Sequence, residues 1–290
     1  MEDRDWQILI TLHNIKNMTK AAETLYISQP AFTYRLKQLE KEFQTKIVHR
    51  GKRGVEFTPQ GEFLVQYAKK MLIELRKTKE QVLDMNDEIR GTLHLGVSSN
   101  YARYELPPLL KLFIEKYPRV EINLITGWSS EVLQYLNKEV VRIGIVRGDV
   151  HWQEGKLLLR EEPICVAYKS KIEIEELPYI PRINYKTDIS LKNVIDQWWH
   201  SQFTNPPLVT MDVDRIETCK ELVLNGLGYA IFPKICLTDA DGLYTVDLLH
   251  NNDNQPLRRQ TWMIYRHESL EMTLNKAFVE FMTEYHQKQT

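Results

Sequence analysis

Residues 18–43 read MTKAAETLYISQPAFTYRLKQLEKEF, two short helical patterns separated by a tight turn at Tyr26-Ile27. Thr19 is placed to cap the first helix, Lys20 to Leu25, in which the small Ala21 and Ala22 allow close helix packing. Ser28 is placed to cap the second, Gln29 to Phe43, with Pro30 in its first turn, where a missing N–H costs nothing. Phe32, Leu36, Leu39 and Phe43 form an inner stripe on that helix, at spacings of 4, 3 and 4. The other face presents Gln29, Thr33, Tyr34, Lys37 and Lys41. A polar face on a short helix that follows a turn is suited to reading base edges.

Upstream, Trp6, Leu9, Ile10 and Leu12 recur at helical spacing, so the two patterns are the second and third of three helices. Downstream, β-prone pieces at Ile47–His49 and Val55–Thr58 flank the basic turn Arg50-Gly51-Lys52-Arg53-Gly54, which predicts a hairpin wing. Thr58-Pro59 then opens a long helix to about Glu88. Its positions Leu64, Ala68, Met71, Leu75, Thr78, Val82, Met85 and Ile89 alternate spacings of 4 and 3. That repeat predicts a coiled-coil seam, most simply with the same helix of a second copy.

Beyond Arg90-Gly91, strand patterns alternate with helices over 104–116 and 129–137, and the same texture returns in residues 162–265. Alternation of this kind predicts an α/β domain with a mainly parallel sheet and a second lobe. The organisation expected is therefore a DNA-binding domain over 1–58 and a linker helix over 59–90. The first lobe is expected over 91–161 with 266–290, and the second over 162–265.

A net charge of −1 argues against a protein that coats nucleic acid by bulk electrostatics, and the slight basic surplus lies in the first 90 residues. Three scattered cysteines, Cys165, Cys219 and Cys236, lack metal-type spacing and fit a reducing cytoplasm. Cys219, among apolar neighbours on a helix, reads as a buried structural thiol. No basic n-region opens the chain, and no apolar run approaches the roughly 18 residues that span a bilayer. The eight histidines form no metal-type pair, and no G-x-S-x-G, P-loop or G-x-G-x-x-G motif occurs. Neither an enzyme nor a cofactor is expected. Trp198-Trp199 reads by default as core packing.

In open α/β sheets, ligands gather at the carboxyl ends of parallel strands, where loop amides and helix N-termini converge. Three such ends carry polar residues: Ser98, Ser99 and Asn100; Thr126 and Ser129; and Arg147. Arg147 is an oddity in an apolar strand. If it faces a cleft, its planar fork favours a carboxylate or phosphate; otherwise it is an exposed or salt-bridged arginine.

MTKAAETLYISQPAFTYRLKQLEKEF, then IVHRGKRGVEFTPQGE (47–62) and KELVLNGLGYAIFP (220–233), resemble the LysR-type transcriptional regulators over the whole chain. The resemblance implies a winged helix-turn-helix, a dimerising linker helix and a two-lobed, periplasmic-binding-protein-like effector domain. It places Ser28, Gln29, Pro30, Ala31, Thr33, Tyr34 and Lys37 at the major groove and Arg50 and Arg53 in the wing. Tyr34 and Gln38 stand where many members carry Arg. Gln pairs with adenine edges, Thr and Ala touch thymine methyls, and Arg or Lys binds phosphate or guanine. The resemblance further implies operator DNA as partner, a homodimer or homotetramer, and no membrane. Short matches at SS…LP, IVRG, ETCKE and PLRR resemble a branch that senses citrate-like acids, with Arg259 as a second anion-binding arginine. The alternative class, a ligand-binding protein without a DNA role, is disfavoured by the Arg-bearing wing and the heptad helix.

Overall fold

Helices α1 (Asp3–Ile15), α2 (Met18–Thr24) and α3 (Gln29–Glu42) bury Ile8, Leu9, Leu12, Ala21, Ala22, Phe32, Leu36 and Leu39 in one core. Each fully buried leucine or phenylalanine contributes about 1.5–3 kcal/mol. Residues 1–51, 54–85, 88–250 and 252–288 are described by this computed structural model, in two units, Met1–Asn86 and Asp87–Thr290.

Asn17, not Thr19, caps α2: its backbone is extended and its side chain accepts from Lys20 N at 3.0 Å. That puts Thr19 inside the helix, two residues past the cap position. Ser28 caps α3, accepting from Ala31 N at 3.4 Å. Phe43 departs from the expected stripe. It is the C-cap, where the chain leaves the helix axis, and it is exposed.

Strands β1 (Val48–Gly51) and β2 (Gly54–Phe57) pair antiparallel, with Gly51 opposite Gly54. Val55 N donates to Lys16 O at 3.0 Å, so the hairpin is pinned to the end of α1. Gly54 has φ +113°, and a Cβ there would lie 2.8 Å from Lys16 O, so only glycine fits. Helix α4 (Pro59–Asp84) starts at Thr58, whose hydroxyl accepts from Gly61 N at 3.0 Å. Its front buries Leu64, Val65 and Ala68 in the same core, while Val82 and Met85 are exposed. The helix ends short of the expected Glu88; residues 86 and 87 lie outside those described.

In the second unit, β3 (Gly91–Ser98), β4 (Val120–Gly127) and β5 (Ile143–Arg147) lie parallel, with β3 between the other two. The expected helix over 104–116 starts earlier and is split into α5 (Ser99–Tyr104) and α6 (Leu106–Lys116). The break at Glu105 precedes Pro107-Pro108, which a helix tolerates only in its first turn. Helix α7 spans Ser129–Asn137, as expected.

The sheet is mixed rather than mainly parallel. The long strand β6 (Gly155–Tyr168) pairs antiparallel with β11 (Arg258–Tyr265) through its first part, residues 155–163. Its remainder pairs antiparallel with β9 (Ala230–Pro233) and β10 (Tyr244–Asp247). Strand β11 in turn lies antiparallel to β5. Strands β6 and β11 thus carry the chain between two lobes, out and back. Partners such as Pro163 with Arg258 and Gly155 with Tyr265, far apart in the chain, leave no local sequence signal, which is why alternation alone suggested parallel pairing.

The second lobe adds a parallel pair, β7 (Arg182–Tyr185) and β8 (Val209–Val213), with helices α8 (Ile189–Gln202) and α9 (Ile216–Leu224). Its core holds Leu191, Ile195, Trp198, Trp199, Tyr229 and Ile231, and each indole N–H donates to a backbone carbonyl. Helix α10 (Thr273–Gln287) returns to the first lobe, where Phe278 packs edge-on against Phe113. Among the described residues, no helix is long and apolar enough to cross a membrane and no His, Cys, Asp or Glu group is arranged to hold a metal.

Candidate nucleic-acid face and effector cleft

On α3, the burial of Phe32, Leu36 and Leu39 forces the remaining positions outward. Gln29, Pro30, Ala31, Tyr34 and Lys37 are exposed and Thr33 half-buried, so these six lie together on the surface around the start of the helix. Ser28, also exposed, commits its hydroxyl to capping. Arg35 turns away: its guanidinium donates to Asp5 at 2.8 Å and to Glu2 at 2.8 Å, locking α3 onto α1. The nearest arginine on α3 is therefore spent inside the domain. In the wing, Arg50 belongs to β1, opposite Val55. Its side chain, and the whole of Arg53, lie outside the described residues.

Tyr26 was not singled out by sequence reasoning. It occupies the turn between α2 and α3 with φ +54° and is 96% exposed. A non-glycine residue in this left-handed conformation, with its ring in solvent, is uncommon. The signal available was its place between two helical patterns.

In the second unit a cavity of about 320 Å³ gathers every strand-end residue expected there. Ser98, Ser99 and Asn100 stand where β3 gives way to α5, Thr126 at the end of β4, Ser129 at the start of α7, and Arg147 at the end of β5. Arg259, on β11, joins them. From the second lobe come Tyr185, Lys186, Thr187, Asp188 and Arg215. The cavity is thus a cleft between the two lobes.

Arg147 is both cleft-lining and salt-bridged, so the two readings of it hold at once. It is 3% exposed and its Nη2 donates to Glu162, itself 2% exposed. Burial raises the Glu162 carboxyl above the usual carboxylate range, against the opposing pull of Arg147. Arg259 donates to Asp188 at 2.5 Å, and Asp188 also accepts from Leu191 N at 2.9 Å as the cap of α8. Burial first, and the nearby charge of Arg147 second, push the Arg259 guanidinium below its ordinary value. Two buried cations on the adjacent strands β5 and β11 therefore repel one another at the cleft.

Donors remain uncommitted. The Ser98 hydroxyl and the Nε of both Arg147 and Arg259 are buried without a partner. Ser129 is less free, since its hydroxyl accepts from Arg147 N at 2.9 Å and donates to Arg147 O at 3.2 Å. Ser99 donates to Gly127 O at 3.4 Å. Gly148, with φ +94°, leaves room for Ser190, 2.6 Å from where a Cβ would stand. Sequence reasoning missed Glu162 and Asp188. Asp188 had a local signal, a cap-type residue ahead of a helical pattern; Glu162 had none.

All three cysteines are buried and unpaired, and burial pushes the thiols of Cys165, Cys219 and Cys236 up to about 12. Thiols that stay protonated near neutrality are poor nucleophiles and oxidise slowly.

A helix-turn-helix with a wing, followed by a long helix and a two-lobed α/β domain with a polar cleft, defines a ligand-responsive DNA-binding protein. The bacterial regulatory helix-turn-helix family model of the lysR type matches residues 4–62, and the LysR substrate binding domain matches 86–287. The chain belongs to the LysR family of transcriptional regulators, a family of regulators and not of enzymes. It is 45% identical over 282 residues to YraN, an uncharacterized HTH-type transcriptional regulator of Bacillus subtilis strain 168, covering 97% of each chain. It is 29% identical over 287 residues to CysL of the same organism, covering 94% of each. Among solved structures it resembles full-length CbnR complexed with its target DNA, with a TM-score of 0.72, 18% identity, and 98% and 99% of the two chains covered.

Proposed function

We propose that this regulator binds operator DNA through α3 and the wing, and that a small organic anion in the cleft modulates it. The reading of the DNA face rests on exposure: Gln29, Pro30, Ala31, Tyr34 and Lys37 are exposed and Thr33 half-buried, so the core does not claim them. Ser28 caps the helix, and Arg50 and Arg53 are the wing residues that the resemblance assigns to DNA. The domain limits follow the same division, with the wing ending at 58, the linker segment that carries α4 at 90, and the lobes exchanging at 161/162 and 265/266.

One observation supports the anionic effector above all. Arg147 and Arg259, both buried, line one cavity, each with an unpartnered Nε, and the unpartnered Ser98 lines it too. A guanidinium carries five donors, and one acceptor apiece leaves most unmet. A carboxylate bound between them adds acceptors and offsets their mutual repulsion. Asn100 and Thr126 complete the polar lining. Citrate and other di- and tricarboxylates are the candidate ligands.

Calorimetric titration of the full chain with citrate, succinate and related acids tests this reading. At least one acid is expected to bind, with affinity lowered at least tenfold in Arg147→Ala. Absence of heat for every acid, or unchanged affinity in the variant, contradicts it. Gel-shift titration tests the other half: Gln29→Ala is expected to weaken operator binding by roughly 1–3 kcal/mol without unfolding the chain, and wild-type affinity contradicts the assignment.

The exposed rear of α4 supports a dimer through that helix, and the family's habit supports a tetramer. An effector that changes lobe closure would alter subunit arrangement and so the spacing of bound half-sites.

A further inference from the structure

Lobe two holds a second cavity, of about 310 Å³, adjoining the cleft along residues 185–187 and lying between β7, β8 and α8. Arg182, the first residue of β7, lines it. This arginine is 9% exposed, yet among the described residues its side chain makes no hydrogen bond and no ion pair; its Nε is fully buried and unpartnered. Its guanidinium lies 5.7 Å from the centre of the Trp199 ring, and the negative charge of Asp196 acts on it without forming an ion pair. The hydroxyl of the fully buried Tyr229, whose backbone bridges to Arg182, is likewise without a partner.

An unpaired buried guanidinium is unusual, because removing a cation from water without an acceptor costs several kcal/mol. The contrast with the cleft is direct: Arg147 has Glu162 and Arg259 has Asp188, whereas Arg182 has none. Lys186 and Lys192 also line the second cavity, against Asp196 and Asp212. Asp196 is held by Lys192 at 2.5 Å and makes no ion pair with Arg182. Ile195, Pro207 and Ile231 supply an apolar wall.

We infer that this cavity is a second ligand site, in which Arg182 binds the oxyanion group, carboxylate or phosphate, of a small molecule whose apolar part lies against Ile195, Pro207 and Ile231. The site is separate from the effector cleft, and its occupation is transmitted there through the shared segment Tyr185-Lys186-Thr187.

The test titrates the full-length Arg147→Ala chain, whose cleft is weakened, with acetate, succinate, citrate and inorganic phosphate, using chloride at matched ionic strength as control. Binding is read by calorimetry, by tryptophan fluorescence from Trp198 and Trp199, and by the shift in melting temperature. At least one oxyanion is expected to bind and raise the melting temperature where chloride does not; which probes bind separates a carboxylate site from a phosphate site. Adding Arg182→Met is expected to weaken that binding at least tenfold, and Arg182→Lys to weaken it less. If no oxyanion raises the melting temperature of the Arg147→Ala chain, the proposal fails, whatever becomes of the cleft. It fails equally if binding persists unchanged in the Arg182→Met chain. A lower melting temperature in Arg182→Met with no oxyanion response in its parent assigns Arg182 to packing against Trp199 alone, which also overturns the proposal.

Discussion

At the scale of single residues, strain and charge mark the positions that packing does not explain. Tyr26 holds φ +54° in the turn between α2 and α3 with its ring in water, so no side-chain contact offsets the backbone cost. Tyr26→Gly is expected to stabilise the first unit by about 0.5–1 kcal/mol, read from chemical denaturation; a destabilised variant shows that the ring contributes to folding. Glu162 is the second case. Its proton is held more tightly in the folded chain than in the unfolded one, so its contribution to stability is present at low pH and lost as pH rises through the raised folded value. Protonating Glu162 releases Arg147, so carboxylate affinity is expected to rise as pH falls through the raised Glu162 value. Glu162→Gln is expected to bind more tightly than wild type with Glu162 ionised and to lose the pH dependence. Calorimetry across a pH series checks this, and an affinity that falls on acidification contradicts it.

At the scale of elements, legibility followed locality. Helix α3 and the strand ends were readable because caps, periodicity and turns lie within a few residues of each other, as Ser28 and Pro30 do at the start of α3. The cap of α2 was misread by two residues because both Asn17 and Thr19 are good cap types, and only the extended backbone at Asn17 decides between them. The sheet was misread because β6 and β11 are joined by register, not by neighbourhood in the chain. Helix α4 carries its own prediction. Its front half is buried against α1, but Val82 and Met85 are 57% and 82% exposed on the same heptad seam. Replacing both with Glu is expected to shift the chain from dimer or tetramer toward monomer, measured by light scattering, while the first unit keeps its melting transition. An unchanged mass would remove α4 from the interface.

At the scale of the whole molecule, fold class and family were legible from the order of elements, because helix, turn, helix, wing, heptad helix and α/β domain occur together in few architectures. The cleft was legible only in part. Strand-end residues Ser98, Thr126, Ser129 and Arg147 were found from position, and Arg259 from resemblance, and all line one cavity. Their partners Glu162 and Asp188 come from distant segments whose approach no local pattern records. The same holds for Arg182, whose missing acceptor is visible only once burial is known. Two anion sites in one unit would let this regulator integrate two signals before its DNA-bound half responds.

The most direct test is a footprint of the full chain on the DNA upstream of its own gene, with and without citrate, succinate and related acids, for wild type and Arg147→Ala. A bounded, salt-sensitive footprint is expected, whose extent or affinity changes with at least one acid in wild type and not in the variant. Absence of a bounded footprint, or a footprint indifferent to every acid, would contradict the account.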